Sequence, residues 1–181
     1  MRESKKKECP FLGVVPSREP DTPNASSLYS SFIYHYSGMK REARAIIHCR
    51  GHPHVRAAHP STLEITCEHE MTPNGDCIIA VGADCSARDL PEEFRILLCR
   101  DDASLHTVFS CGGMSVEVRG QGSSSMTLDH PADMVWRRSC YVCGRTVAIG
   151  SDTTARMMPR EFVEALRKGG EVVATLTVRV P

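Results

Sequence analysis

The sequence predicts a mainly β, α+β fold: an internally duplicated, pseudo-two-fold β-barrel or sandwich with two short helices. Three observations carry this expectation. The stretch VGADCSARDLPEEFRILL (81–98) returns as IGSDTTARMMPREFVEAL (149–166). Short apolar runs and strict alternation mark strands around each copy. At 181 residues the chain suits one domain, or two small halves sharing a core, plus a tail.

Laid side by side, Gly82, Asp84, Ala87, Arg88, Pro91, Glu93, Phe94 and Leu98 match Gly150, Asp152, Ala155, Arg156, Pro159, Glu161, Phe162 and Leu166. The likeness extends upstream. GHPHVRAAHPSTLEIT (51–66) lies against GSSSMTLDHPADMVWR (122–137), pairing Gly51 with Gly122 and His59-Pro60 with His130-Pro131. Two repeats, about 43–112 and 114–181, fill a single domain over 39–181 with no linker between them. A unit of that size has too little core to be secure alone, so the halves are expected to pair around one axis.

In chain order, a strand is expected over 43–50, then a Gly/His/Pro loop, a strand near 63–67, and a buried strand in CIIAVG (77–82). A helix follows from about 90 to 100, with Pro91 near its first turn and Asp89 available as a cap. Phe94, Leu97 and Leu98 form its buried face; Phe162 and Leu166 do so in the second copy, which Gly169 ends. The closing strand alternates Val172, Ala174, Leu176, Val178 and Val180 with Val173, Thr175, Thr177 and Arg179. Residues 1–38 carry four prolines and a lysine run without periodicity, and read as a disordered leader or a start called too early, ahead of Met39.

Charge and cysteine usage narrow the function classes. Lys+Arg and Asp+Glu balance at 22 each, so neither a broad nucleic-acid surface nor binding to an anionic membrane is expected. No run approaches the ~20 apolar residues of a membrane span. Nine cysteines, an odd number at irregular spacings, point to a reducing, cytoplasmic setting with thiols as small buried groups. Cys140-x-x-Cys143 lacks a second pair and precedes a strand, so it reads as two incidental thiols.

Several residues stand out for chemistry. Asp84 and Arg88, like Asp152 and Arg156, sit in turns leading into helices. One reading is turn chemistry, with the aspartate capping backbone N–H groups; the other is arginines and helix N-termini converging on an anion. His59 and His130 hold equivalent positions before a strand. They fit a shared ligand or metal site, and equally two pins fixing their own loops. The copies also differ. His52, His54 and Arg56 stand where the second copy has Ser123, Ser125 and Thr127; Asp133 replaces Thr62 and Arg145 replaces Asp76. An asymmetric cluster of His52, His54, His59 and His130 with Asp133 and Arg145 would suit a divalent metal, zinc or iron. Against it, no complete metal signature is present, and loop histidines are commonly just exposed.

RGHPHVRAAHPSTLEIT, Met71-Thr72-Pro73, NGDCIIAVGAD, DLPEEF and DHPADMV with VCGRTVAI together resemble the archaeal family catalogued as domain of unknown function 371, from about residue 40 onward. The resemblance implies an archaeal, cytosolic, β-rich protein; it brings no activity and no catalytic residues. Two functions therefore remain in view. The first is a binding module for a compact anionic ligand (a nucleotide, a phosphorylated metabolite or an RNA end) in a cleft between the repeats, with Arg88, Arg145, Arg156, His59 and His130 as donors. The alternative is a metal-dependent enzyme whose histidine-rich cleft activates water, with Asp133 or Asp84 as base.

Overall fold

Eight strands, two α-helices and a 3-10 turn are formed by the described residues, 41–72 and 74–181 of a computed structural model of the chain. In order they are β1 (Glu42–Arg50), β2 (Thr62–Thr66), β3 (Ile78–Ala80), α1 (Glu92–Leu98), β4 (Ser104–Cys111), β5 (Met114–Gln121), β6 (Asp133–Arg137), β7 (Thr146–Ala148), the 3-10 turn Ala155–Met157, α2 (Arg160–Arg167) and β8 (Glu171–Arg179). The expectation for residues 1–38 falls outside the described residues.

Alternation decides which face each strand buries. β1 turns Ala45, Ile47 and Cys49 inward and Arg44, Ile46 and His48 outward. β8 buries Val172, Ala174, Leu176 and Val178, and β4 buries Leu105, Thr107, Phe109 and Cys111. With β5 these make an antiparallel sheet in the order β1-β8-β4-β5. Its outer face carries polar side chains together with the exposed Ile46, close to the usual pattern of a one-sided antiparallel sheet. Gly112 and Gly113 join β4 to β5 with φ of 59° and 79°. A two-residue hairpin loop of this hand needs positive φ at both positions, which glycine adopts without a Cβ clash.

The second sheet runs β3-β2-β6-β7: its central pair β2–β6 is antiparallel, and the outer pairs β2–β3 and β6–β7 are parallel. Leu63 and Ile65 of β2 and Met134 and Trp136 of β6 enter the core that both sheets share. Trp136 links the layers. Its indole N–H donates to Thr107 Oγ1 on β4 at 3.0 Å, and its ring meets Phe109 edge-on with centroids 5.2 Å apart.

The fold is thus mainly β, with two helices and two sheets, as its class predicted, but no closed barrel forms. The sheets touch edge to edge only through the isolated bridges Arg50–Val81 and Gln121–Ile149. β3 and β7 are three residues long, too short to run beside the nine-residue β1 and eight-residue β5 and close the cylinder.

The helices sit where the sheets meet. α1 packs Phe94, Leu97 and Leu98 inward, chiefly against β1 and β8, and α2 packs Phe162, Val163 and Leu166 inward, against β3, β4 and β5. Neither helix has a side-chain cap; Pro91 and Pro159 occupy the cap positions. Asp89, expected as a cap, bonds back to the Ser86 backbone and hydroxyl instead. Two close backbone approaches lock the helix ends. A Cβ at Gly51 would lie 1.9 Å from the Leu166 carbonyl oxygen, and one at Gly122 would lie 2.1 Å from that of Leu98. Only glycine fits either place.

The cross-sheet bond yields a stability prediction. Thr107→Val leaves the buried indole N–H without an acceptor, and is expected to cost about 1–3 kcal/mol. Urea unfolding should show a lower midpoint with an unchanged slope, while Thr107→Ser, which keeps the hydroxyl, retains part of the lost stability.

Candidate functional site

The two His-Pro loops fold alike. Ala57 (φ 46°) and Leu128 (φ 48°) are the two non-glycine residues with positive φ among the described residues, each two positions before its histidine. His59 Nδ1 then accepts the backbone N–H of Ser61 (3.3 Å) and Thr62 (3.1 Å), with Thr62 Oγ1 at 2.6 Å. His130 Nδ1 accepts those of Ala132 (3.3 Å) and Asp133 (2.9 Å). With Nδ1 an acceptor, a neutral ring carries its proton on Nε2. Each ring pins its own loop. Because β2 and β6 run antiparallel, with Thr62 opposite Arg137 and Thr66 opposite Asp133, the pins stand at opposite ends of the ladder. The structure does not bring His59 and His130 together.

It joins each histidine loop instead to the far Asp–Arg turn. The Arg88 N–H donates to the His130 carbonyl at 3.3 Å, and the Arg156 N–H to the His59 carbonyl at 3.1 Å. Arg156 Nε also reaches the Ala58 carbonyl (3.1 Å), while Arg88 Nε lies 4.0 Å from Asp89. The aspartates face elsewhere. Asp84 exchanges two bonds with His48 on β1, its N–H to the carbonyl and its Oδ1 from the N–H, both 3.0 Å. Asp152 does the same with Arg119 on β5, both 2.9 Å. They satisfy outward backbone groups of the two edge strands of one sheet, which otherwise invite pairing with another chain. Neither caps a helix.

Arg145, Asp133 and His130 do meet, around a residue the sequence reading missed. Glu64, in the middle of β2, is only 6% exposed. Arg145 Nη1 lies 3.3 and 3.4 Å from its two oxygens and 3.2 Å from Asp133 Oδ2, which in turn sits 3.7 Å from His130 Nδ1. The Cys77 thiol donates to Glu64 Oε2 at 3.3 Å. Burial pushes the Glu64 carboxyl above its ordinary value; Arg145 opposes the rise and Asp133 adds to it. The guanidinium occupies the position between two carboxylates that a cation would take. Its charge is spent inside this network.

Close by, Cys143 Sγ receives Arg137 Nη2 at 3.2 Å and lies 3.6 Å from Thr146 Oγ1. Burial raises its thiol, but bonds from Thr146, the Arg145 backbone and Arg137 outweigh that and lower it to about 7. The other shifted thiols move the opposite way, Cys49 and Cys77 to about 12 and Cys85 to about 11, chiefly through burial.

The proposed metal set does not assemble. His52 and His54 stack edge-on at 4.9 Å, with His52 Nδ1 accepting the His54 N–H and His54 Nδ1 2.9 Å from the Met71 carbonyl. Among the described residues no three His, Cys, Asp or Glu side chains are grouped to hold a metal ion.

A positively charged hollow lies between the loop after β1 and helix α2. A cavity of about 490 Å³ is lined by His54, Arg56, Ala58, Arg160 and Arg167 with Pro53 and Val55 and, among the described residues, by no carboxylate. Arg160 makes no ion pair among the described residues, whereas Arg167 lies 3.4 Å from Glu164. Of these residues the sequence analysis singled out His54 as a candidate ligand and noted Arg56. Arg160 and Arg167, seven apart and so two turns along one helix face, were the legible signal; what they face was not.

A family model described as a domain of unknown function (DUF371) matches residues 47–179. Over 133 residues the chain is 39% identical to the uncharacterized protein MJ0206 of Methanocaldococcus jannaschii, covering 74% of this chain and 98% of that protein. Among the described residues no helix is long and apolar enough to cross a membrane.

Two outcomes follow from these charges. Arg145→Met leaves Glu64 and Asp133 facing each other without a shared cation, at a cost on the order of 2 kcal/mol at pH 7 once partial solvent screening is allowed for. Burial holds the Glu64 carboxyl above its ordinary value, so it takes up its proton as the pH falls toward 4 and the loss there should be clearly smaller; equal urea-unfolding losses at both pH values would mean that Arg145 acts by packing. Second, with its thiol near pH 7, Cys143 should be the fastest of the shifted thiols to react with iodoacetamide at pH 7.5. Peptide mass spectrometry after a pH series should put its half-maximal rate near 7, and Arg137→Gln should move that midpoint upward.

Proposed function

The chain belongs to the family described as domain of unknown function DUF371, and we propose that it is a binding module for a compact anionic ligand: a nucleotide, a phosphorylated metabolite or an RNA end. The ligand sits in the cavity between residues 53–58 and α2. The observation that carries this reading is the lining: three guanidinium side chains and a histidine converge on about 490 Å³ with no carboxylate among them. Arginine forks match phosphate and carboxylate oxygens in pairs, and the size suits a small molecule rather than a polymer surface.

The reading includes the internal duplication. Supporting it, each sheet order reads the same from either end when β1 is matched with β5, β2 with β6, β3 with β7 and β4 with β8. The crosswise bonds Arg88–His130 and Arg156–His59, and the paired φ values of Ala57 and Leu128, point the same way. The cavity then lies between the repeats, with its loop from the first and its helix from the second. At the equivalent place that set is not repeated: Ser123, Ser125 and Thr127 replace His52, His54 and Arg56, Glu92 and Cys99 stand where α2 has Arg160 and Arg167, and the Arg95 guanidinium there bonds to the Thr127 carbonyl. A framework needs symmetry; a charge set present on one side only suggests a ligand. The metal-dependent enzyme has less support, since its ligands are not grouped among the described residues.

A ligand that binds only the native state raises its stability. Millimolar phosphate or pyrophosphate should therefore raise the thermal midpoint, whereas sodium chloride of equal ionic strength should not. Arg160→Ala and Arg167→Ala should each remove most of that rise. An unchanged midpoint with every phosphate compound would overturn the proposal.

A further inference from the structure

A second cavity, of about 660 Å³, lies along the other side of α2, against the β4–β5 hairpin. Cys111, Met114 and Ala165 give it an apolar floor, and Glu161 and Glu164 stand at its edge. Met114 is 37% exposed, one of few large apolar side chains left open to solvent among the described residues. Arg160 lines this cavity and the basic one alike. The two hollows therefore meet at the first turn of α2: His54, Arg56 and Arg167 line one, and an apolar floor rimmed by Glu161, Glu164 and Lys168 makes the other.

Resting on the reading of the basic cavity as an anion site, we infer that the ligand is amphiphilic: an anion whose apolar body crosses Arg160 and lies on Cys111, Met114 and Ala165. The charge distribution sets its orientation. Three guanidinium groups and His54 line the first cavity, whereas in the second Arg160 and Lys168 are balanced by Glu161 and Glu164, so the anionic head lies in the first. Arg160 at the junction bonds the head and lays its methylene stem along the body, as long cationic side chains do. A small inorganic anion fills only the first cavity and leaves the Met114 surface wet.

The probes are inorganic phosphate, hexyl phosphate and hexanol, titrated calorimetrically into the full chain. Each methylene transferred from water to an apolar surface strengthens binding about fourfold, so a partly covered hexyl chain should make hexyl phosphate at least tenfold tighter than phosphate. Hexanol alone should bind far more weakly than hexyl phosphate. Ala165→Trp fills the apolar cavity from a half-buried helix position and should erase the hexyl advantage while leaving phosphate affinity unchanged. Met114→Asp, on the hairpin, should do the same by charge and guards against a folding defect in the first variant. Equal affinity for phosphate and hexyl phosphate, or an advantage that survives both substitutions, overturns the amphiphilic ligand and leaves the anion site standing. Hexanol binding as tightly as hexyl phosphate also overturns the amphiphilic ligand, whereas failure of both phosphates to bind overturns the anion site itself.

Discussion

The antiparallel ladder between β2 and β6 is the constraint on which the other arrangements depend. Five residue pairs, from Thr62–Arg137 to Thr66–Asp133, join the first part of the chain to the second through the middle of one sheet. Its direction decides what can meet. It sends the two His-Pro loops to opposite ends, where each accepts an N–H from the Asp–Arg turn of the other half. It also sets Glu64 and Asp133 diagonally across from one another, within reach of a single arginine. On the ladder's inner face, Trp136 reaches through the core to β4. A parallel pairing would put the histidines side by side and dismantle each of these contacts.

Electrostatics then depends on where each charge is placed. Arg145 is held by two carboxylates, so it contributes to cohesion between β2, β6 and the turn before β7, and has little left for a ligand. The arginines on and beside α2 face a hollow that has no acidic residue in its lining. With lysines and arginines equal in number to carboxylates over the whole chain, such a hollow exists only because charge is unevenly placed. The field that matters is local, and net charge conceals it.

Much of the frame was legible because alternation and apolar runs are local signals. β1, β4 and β8 follow from which side chains alternate, and both helices begin after a proline and bury the expected Phe and Leu faces. The site was less legible, since its contacts join residues far apart in sequence. Glu64 looks like one polar residue in the strand TLEIT; its importance comes from Arg145, 81 positions away. Asp84 and Asp152 were recognisable as a repeated feature, but their partners are edge-strand backbones that no local pattern names. Sandwich versus barrel turned on the lengths of β3 and β7. CIIAVG reads as a strand throughout, yet only three of its residues pair as one.

The order β1-β8-β4-β5 carries a cost during synthesis. β8 is the strand that separates β1 from β4, and it begins about 120 residues after β1 ends. At roughly 5–20 residues per second, a nascent β1 waits on the order of ten seconds for its neighbour. Throughout that interval the edge of β1 that β8 will occupy has no strand partner, and such distant pairing is intrinsically slow to form. Until β8 arrives, the unpaired edge of β1 is a template on which a strand of another newborn chain can pair.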